Sequence, residues 1–230
     1  MISVCIATYN GDKYIQRQIE SIICQLDNND EIIISDDGST DNTINIIETL
    51  NDHRIKIIHN KGKHGVVSNF ENALKYSTGD IIFFSDQDDI WDEHKVDKCV
   101  DALKSADLVV HNSKVVHEDR SQPDEEFFQL RNSGPGFWKN LYKNSFVGSC
   151  MAFRKEVKDY VLPFPRHILW HDMWIGLIVE KKGKTKFINN QLLYYRRHGD
   201  NASATSDKST FSTWKKVKYR LQMLYYTSVR

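Results

Sequence analysis

Short apolar runs and helically spaced apolar positions alternate along the first 110 residues. Runs rich in Ile and Val lie at Ile2–Ala7, Glu31–Ser35, Arg54–His59, Asp80–Ser85 and Asp107–His111. Each has the length of a strand, and its apolar residues suit a strand covered on both faces. Between these runs, Tyr14, Ile15, Gln18, Ile19 and Ile22 step by three and four. So do Ile44, Ile47 and Leu50, then Phe70, Ala73 and Leu74, then Val96, Val100 and Leu103. That spacing lines one face of a helix. The alternation predicts an α/β protein with a mostly parallel central sheet and helices on both faces. Local signals mark the helix ends. Any of Ser39, Thr40 and Asp41 can cap the second helix. Ser68 stands three residues before Glu71, a capping-box spacing. Gly79 falls at the position after the third helix where glycine commonly closes a turn.

The rhythm breaks after residue 111. Glu118–Pro135 holds five acidic residues, two prolines and a glycine, and reads as a loop. A helix near 136–143, a strand near 146–153, a helix near 155–160, a helix over Met173–Lys182 and a strand over Phe187–Arg196 follow. Trp214, Val217, Leu221, Leu224 and Tyr225 recur at helical spacing, with Lys215, Lys216, Lys218 and Arg220 among them. This predicts a basic amphipathic helix after one domain at 1–205. Residues 1–111 would form the ligand-binding half of that domain, and 112–205 would complete the pocket.

The 31 basic and 31 acidic side chains cancel to a formal net charge of zero, which argues against a nucleic-acid partner. The cancellation hides an uneven distribution. Residues 181–230 carry 12 basic and 2 acidic side chains, a net of 12 − 2 = +10, so the first 180 residues carry −10. The basic end suits an anionic membrane surface through residues 211–230, or packing on the domain with a solvated charged face. Cys5, Cys24, Cys99 and Cys150 form no CxxC pair and suggest no zinc site. Met1 leads directly into an apolar strand, with no signal-peptide pattern. These features predict a cytoplasmic protein, peripheral at most to the membrane's inner face.

In an open α/β sheet, ligands sit at the carboxyl ends of the strands. There the chain places Thr8-Tyr9-Asn10, Asp36-Asp37-Gly38-Ser39 and Asp86-Gln87-Asp88-Asp89. Three carboxylates in four residues repel one another unless a cation is present. Hard divalent ions such as Mg²⁺ take one or two carboxylates plus substrate phosphates. A helix N-cap accounts for one of these acids but not three. Asp36 reads either as an Asx turn or as an acceptor for the ring N–H of a pyrimidine. No G-x-G-x-x-G, P-loop or G-x-S-x-G motif is present, so Rossmann, Walker and hydrolase-elbow sites are unsupported.

Five segments together resemble glycosyltransferase family 2. They are Ser3–Asn10, Ile34–Asp41, Gly79–Trp91, Trp170–Trp174 and Tyr195–Ser203, and the resemblance covers about residues 2–200. The Asp-Gln-Asp-Asp-Ile-Trp form is similar to the bacterial branch that builds surface polysaccharides, including rhamnosyltransferase-like members. The resemblance implies the GT-A (nucleotide-diphospho-sugar transferase) fold and inverting transfer of a sugar from a UDP- or dTDP-sugar to an acceptor hydroxyl. The acceptor would be a saccharide or a lipid-linked saccharide. Thr8, Tyr9, Asn10 and Asp36 would line the nucleotide pocket, and Asp86 would face the ribose. Asp88, with Asp89 beside it, would hold Mn²⁺ or Mg²⁺ on the diphosphate. Asp172 would be the general base. Its neighbour His171 departs from the acid often found there. Trp170, His171 and Trp174 are candidates for contact with the acceptor sugar. The two tryptophans equally suit a core, and their i, i+4 spacing means that only one need face the pocket. Arg196 and Arg197 suit diphosphate contacts. His198 is either a metal ligand or a solvated loop residue. The alternatives are a sugar nucleotidyltransferase, which would need a Gly-rich basic loop after the first strand, and a non-catalytic glycan- or membrane-binding module.

Overall fold

A computed structural model describes residues 1–117, 124–197 and 212–230. The strands are β1 (Ile2–Thr8), β2 (Glu31–Asp36), β3 (Ile55–His59), β4 (Ile81–Asp86), β5 (Ile90–Trp91), β6 (Leu108–His117), β7 (Glu125–Glu126), β8 (Met151–Arg154) and β9 (Thr185–Arg197). The helices are α1 (Ile15–Ile23), α2 (Thr43–Thr49), α3 (Val66–Tyr76), α4 (Lys95–Leu103), α5 (Phe127–Arg131), α6 (Phe137–Tyr142), α7 (Val157–Val161), α8 (His171–Lys182) and α9 (Thr213–Val229).

One sheet runs β3-β2-β1-β4-β8-β6-β9-β5, with β7 added on β6. The β3-β2-β1-β4 half is wholly parallel. Val4, Cys5 and Ile6 of β1 and Ile82, Phe83 and Phe84 of β4 are fully buried, as strands covered on both faces should be. Ile15, Ile19 and Ile22 turn the buried face of α1 onto this half. Because β1, β2 and β4 are parallel neighbours, their carboxyl ends bring Thr8, Asp36 and Asp86 to one edge. The second half mixes directions. β8 runs antiparallel to β4 and β6, whereas β9 runs parallel to β6.

Several local expectations need correction. The segment read as a loop before Pro135 contains β7 and α5, because Glu125 and Glu126 pair with β6 and Phe127 buries its ring. The strand expected at 146–153 is a 3-10 turn at Gly148–Cys150 followed by β8. β6 continues past His111, since Asn112 and Ser113 are buried against neighbouring elements despite their polarity. Ser68 lies inside α3 and caps nothing there. Its hydroxyl donates to Lys63 O, and Glu71 accepts instead from the Phe164 N–H. Gly79 is required by close approach rather than by a left-handed turn: a Cβ there would lie 2.6 Å from Ser3 N. Helix α9 packs on α6 and α8 through Met223, Leu224 and Thr227.

Candidate active site

The loop after β1 and the acidic segment after β4 are tied together by one side chain. Gln87 Oε1 accepts from Thr8 Oγ1 at 2.7 Å and from the Tyr9 N–H at 2.9 Å. Its Nε2 donates back to Tyr9 O at 3.1 Å. Gly11 makes room for it, since a Cβ there would lie 2.6 Å from Gln87 Cδ. Sequence reasoning passed over Gln87 as the unspecified residue between two acids, and no signal within the chain distinguishes it. Gln87→Leu keeps the volume and removes all three hydrogen bonds. It is expected to destabilise the fold by about 1–3 kcal/mol, read from the urea midpoint.

Asn10 adopts φ 47° and accepts from the Thr40 N–H at 2.8 Å, while its own N–H donates to Ser39 Oγ at 3.0 Å. Asp36 is buried. Its carboxylate accepts from the backbone N–H groups of Gly38 at 3.0 Å and Ser39 at 3.1 Å, and from Ser39 Oγ at 2.5 Å. Its partners are therefore those of an Asx-type turn. The neighbouring Asp37 accepts from Asn60 Nδ2 and the Gly65 N–H, each at 2.7 Å. Tyr9 is 54% exposed at the rim of this edge.

The three acids after β4 differ. Asp86 and Asp88 are half-buried, whereas Asp89 is buried. Burial pushes Asp86 up to about 7, with Asp88 and Asp172 adding negative charge. Burial also pushes Asp89 well up, again with Asp88 and Asp86 contributing. Asp89 Oδ1 accepts from the Arg196 N–H at 3.3 Å, and its buried Oδ2 has no partner within hydrogen-bond geometry. Beside them lies Lys95, a fully buried lysine at the start of α4. Its Nζ donates to Ser149 O at 2.7 Å and stands 4.0 Å from the Trp91 ring centroid. Burial lowers its pKa to about 8. Its remaining charge is a built-in counterweight to the acids.

Asp172 sits in the first turn of α8 and accepts from the Met173 N–H at 2.6 Å. It is half-buried. Burial pushes it up to about 7, against the hydrogen bonds of nearby N–H groups and the charge of Arg131. Asp86 and Asp172 therefore face one another electrostatically, although 86 residues of sequence separate them.

The aromatic neighbours of Asp172 divide. Trp174 is 1% exposed and donates Nε1–H to Val161 O at 3.0 Å, so it is core and not a sugar platform. His171 is also turned inward, stacked 4.3 Å from Phe70 and tilted 5.6 Å from Phe84, and burial lowers its pKa to about 3. Only 8% exposed and packed on Phe70 and Phe84, His171 is turned into the core, away from the acceptor side expected for it. Trp170 alone keeps an exposed ring. Arg196 stacks its guanidinium 5.0 Å from the Tyr14 ring centroid. Arg197 ends β9, its side chain outside the described residues, and His198 lies outside them entirely.

For a divalent cation, the partnerless Asp89 oxygen and the mutually raised carboxyls fit a positive charge. Among the described residues, no three His, Cys, Asp or Glu side chains form a ready cage. The donor set therefore fits an ion shared with substrate phosphates, as is usual for Mg²⁺.

A parallel sheet with acids at its switch edge, continued by a mixed half carrying an acid at a helix start, defines a nucleotide-diphospho-sugar transferase of the GT-A fold. The model of Glycosyl transferase family 2 matches residues 3–162, and the chain belongs to that family. It is 30% identical over 216 residues to the dTDP-rhamnosyl transferase RfbG of Shigella flexneri, covering 85% of this chain and 72% of that protein. It is 29% identical over 237 residues to the Escherichia coli UDP-Glc:α-D-GlcNAc-diphosphoundecaprenol β-1,3-glucosyltransferase WfaP, covering 100% and 93%. The fold matches Staphylococcus aureus TarS 1–349 in complex with UDP-GlcNAc at a TM-score of 0.71 and 20% identity, over 99% of this chain and 65% of that one. It matches Mycobacterium tuberculosis glucosyl-3-phosphoglycerate synthase, in complex with Mn²⁺, UDP and phosphoglyceric acid, at 0.61 and 17%, over 97% and 76%.

Proposed function

We propose that the protein moves a sugar from a UDP- or dTDP-sugar to a hydroxyl of a saccharide or lipid-linked saccharide acceptor in bacterial surface-polysaccharide synthesis, with inversion at the anomeric carbon. The observation that carries this reading is the strand-end edge where parallel β1, β2 and β4 bring Thr8, Asp36 and Asp86 together and Gln87 ties Thr8 and Tyr9 to the acidic segment, with the charge of Asp172 reaching Asp86. The relatives' names supply the donor and acceptor classes.

In this reading Thr8, Tyr9 and Asn10 line the base and Asp36 receives its ring N–H. Asp86 faces the ribose, and Asp88 holds Mn²⁺ or Mg²⁺ with the diphosphate. The bound ion would supply Lewis-acid neutralisation of the departing diphosphate. Asp89 holds β9 at Arg196, and Arg197 and His198 are assigned by their sequence motif to the diphosphate and the ion. Trp170 offers its ring to the acceptor. Asp172 takes the proton from the acceptor hydroxyl. The freed oxygen pair forms the new bond to the anomeric carbon as the old carbon–oxygen bond breaks, its pair leaving on the nucleoside diphosphate.

Asp172 must be ionised to accept that proton. Below its raised pKa it is protonated and inactive, so kcat/KM is expected to rise with pH up to about 7. An unperturbed carboxyl would place that limb near about 4. Asp86 shares the environment, so the limb belongs to the coupled acids. A pH–rate series checks it. The reaction itself is tested by NMR of the product: inverted anomeric configuration supports the reading, and retained configuration contradicts it. Pyrophosphate release from a nucleoside triphosphate would favour a nucleotidyltransferase instead.

A further inference from the structure

Helix α9 carries two apolar stripes, and only one is used for packing. Met223 and Thr227 are buried, and Leu224 and Tyr226 pack on the core beside them. Trp214, Val217, Leu221, Tyr225 and Val229 step by three and four along the opposite side. They face outward, Trp214 being 78% and Tyr225 62% exposed. Leu224 thus leaves the stripe to which its spacing in the sequence assigned it.

The outward stripe does not end with its own helix. Trp138 and Tyr142 of α6 are 70% and 72% exposed. Arg220 joins the two helices, its Nη2 donating to Tyr142 O at 2.5 Å and its guanidinium standing 4.7 Å from the Tyr142 ring centroid. Charge over this surface has one sign. Residues 213–230 contain five Lys or Arg and no acid, and residues 137–143 contain two Lys and no acid.

These features decide between occupants. A second copy docked stripe to stripe would set the lysines that flank the stripe against their own copies, which like-charge repulsion opposes. An ordinary protein interface takes the apolar side chains but depletes lysine. A lipid surface accepts both, with Trp and Tyr rings at headgroup depth and Lys and Arg beside anionic phosphates. Among the described residues no helix is long and apolar enough to cross a membrane, so contact by this face would lie along the surface. We infer that the α6–α9 face docks on an anionic phospholipid surface.

The inner flank of α9 reaches the candidate site. Tyr219 meets the Trp170 ring edge-on at 5.9 Å, and Trp170 lies two residues before Asp172. Docking would therefore hold the acceptor end of the site at the bilayer, where a lipid-linked saccharide resides. This second step rests on the transferase reading, whereas the docking does not.

Flotation with vesicles, without nucleotide, separates the two. The protein is expected to float with equal-part phosphatidylcholine–phosphatidylglycerol vesicles, to stay behind with pure phosphatidylcholine, and to detach at high salt. A Trp214→Ser, Leu221→Ser, Tyr225→Ser triple variant is expected to lose about tenfold in vesicle partition. Those side chains are exposed, so its unfolding midpoint and its nucleotide-induced thermal shift should match the parent. No flotation of the parent, or equal flotation of the triple variant, overturns the docking. A dimer in light scattering that the triple variant abolishes would make the face a self-interface and overturn it as well. Transfer to a lipid-linked acceptor in vesicles should fall about tenfold in the variant, while transfer to a short soluble glycoside is unchanged. An equal fall in both overturns the presentation step alone.

Discussion

Asp172→Asn is expected to bind nucleotide as the parent does and to lose about 10²–10⁴ in kcat, the range for removing a positioned general base. The substitution keeps shape and loses the proton-accepting charge. Nucleotide affinity and single-turnover rate, measured on one preparation, separate binding from chemistry. Retained turnover would remove Asp172 as base. Thermal stability should move the other way. The folded-state pKa of Asp172 is raised, so its protonated form is the one the fold favours, and the destabilisation grows as pH rises through that value. Above about pH 7, Asp172→Asn should therefore unfold at a higher temperature than the parent. A purely capping carboxylate predicts the reverse, because its loss removes a favourable charge from the start of α8.

Asp88→Asn is expected to have the other large effect. If Asp88 holds the ion on the diphosphate, its loss removes several kcal/mol of interaction, so metal-dependent nucleotide binding weakens by about a hundredfold or more. Asp89→Asn should weaken it by no more than about tenfold, because one Asp89 oxygen is bonded to β9 and only its partnerless Oδ2 is left to face the ion. Equal losses in the two variants would make Asp89 as strong a ligand as Asp88. Titrations of UDP with Mn²⁺ against each variant distinguish the outcomes.

Much of the first half was legible because its physics is local. Four of the five apolar runs carry no internal charge and suit a two-faced sheet, the fifth is interrupted by Lys56 and forms the half-exposed edge strand β3, and all five are strands. The acids stood out because charge at a strand end needs an explanation. Less local features were hidden. Lys95 occupies a helical step that reads as solvent-facing, and only the turn at Gly148–Cys150 passing under it makes it interior. Ser68 and Glu71 had the spacing of a capping box, but Lys63 and Phe164, distant or out of register, engage them first. His171 and Trp174 lie beside Asp172 in sequence, yet a helix turns them toward Phe70 and Val161. In α9 the apolar residues were visible, but which stripe packs depends on where α6 and α8 stand.

The claim that the strand-end acids form a metal-assisted nucleotide-diphosphate site is tested most directly by thermal unfolding against UDP, dTDP and their sugars, each with and without Mn²⁺. A bound ligand raises the midpoint according to its affinity and concentration. At least one uridine or thymidine diphosphate is expected to raise it with Mn²⁺ present and to do so far less without it. No shift with any of them, with or without the ion, would contradict the assignment.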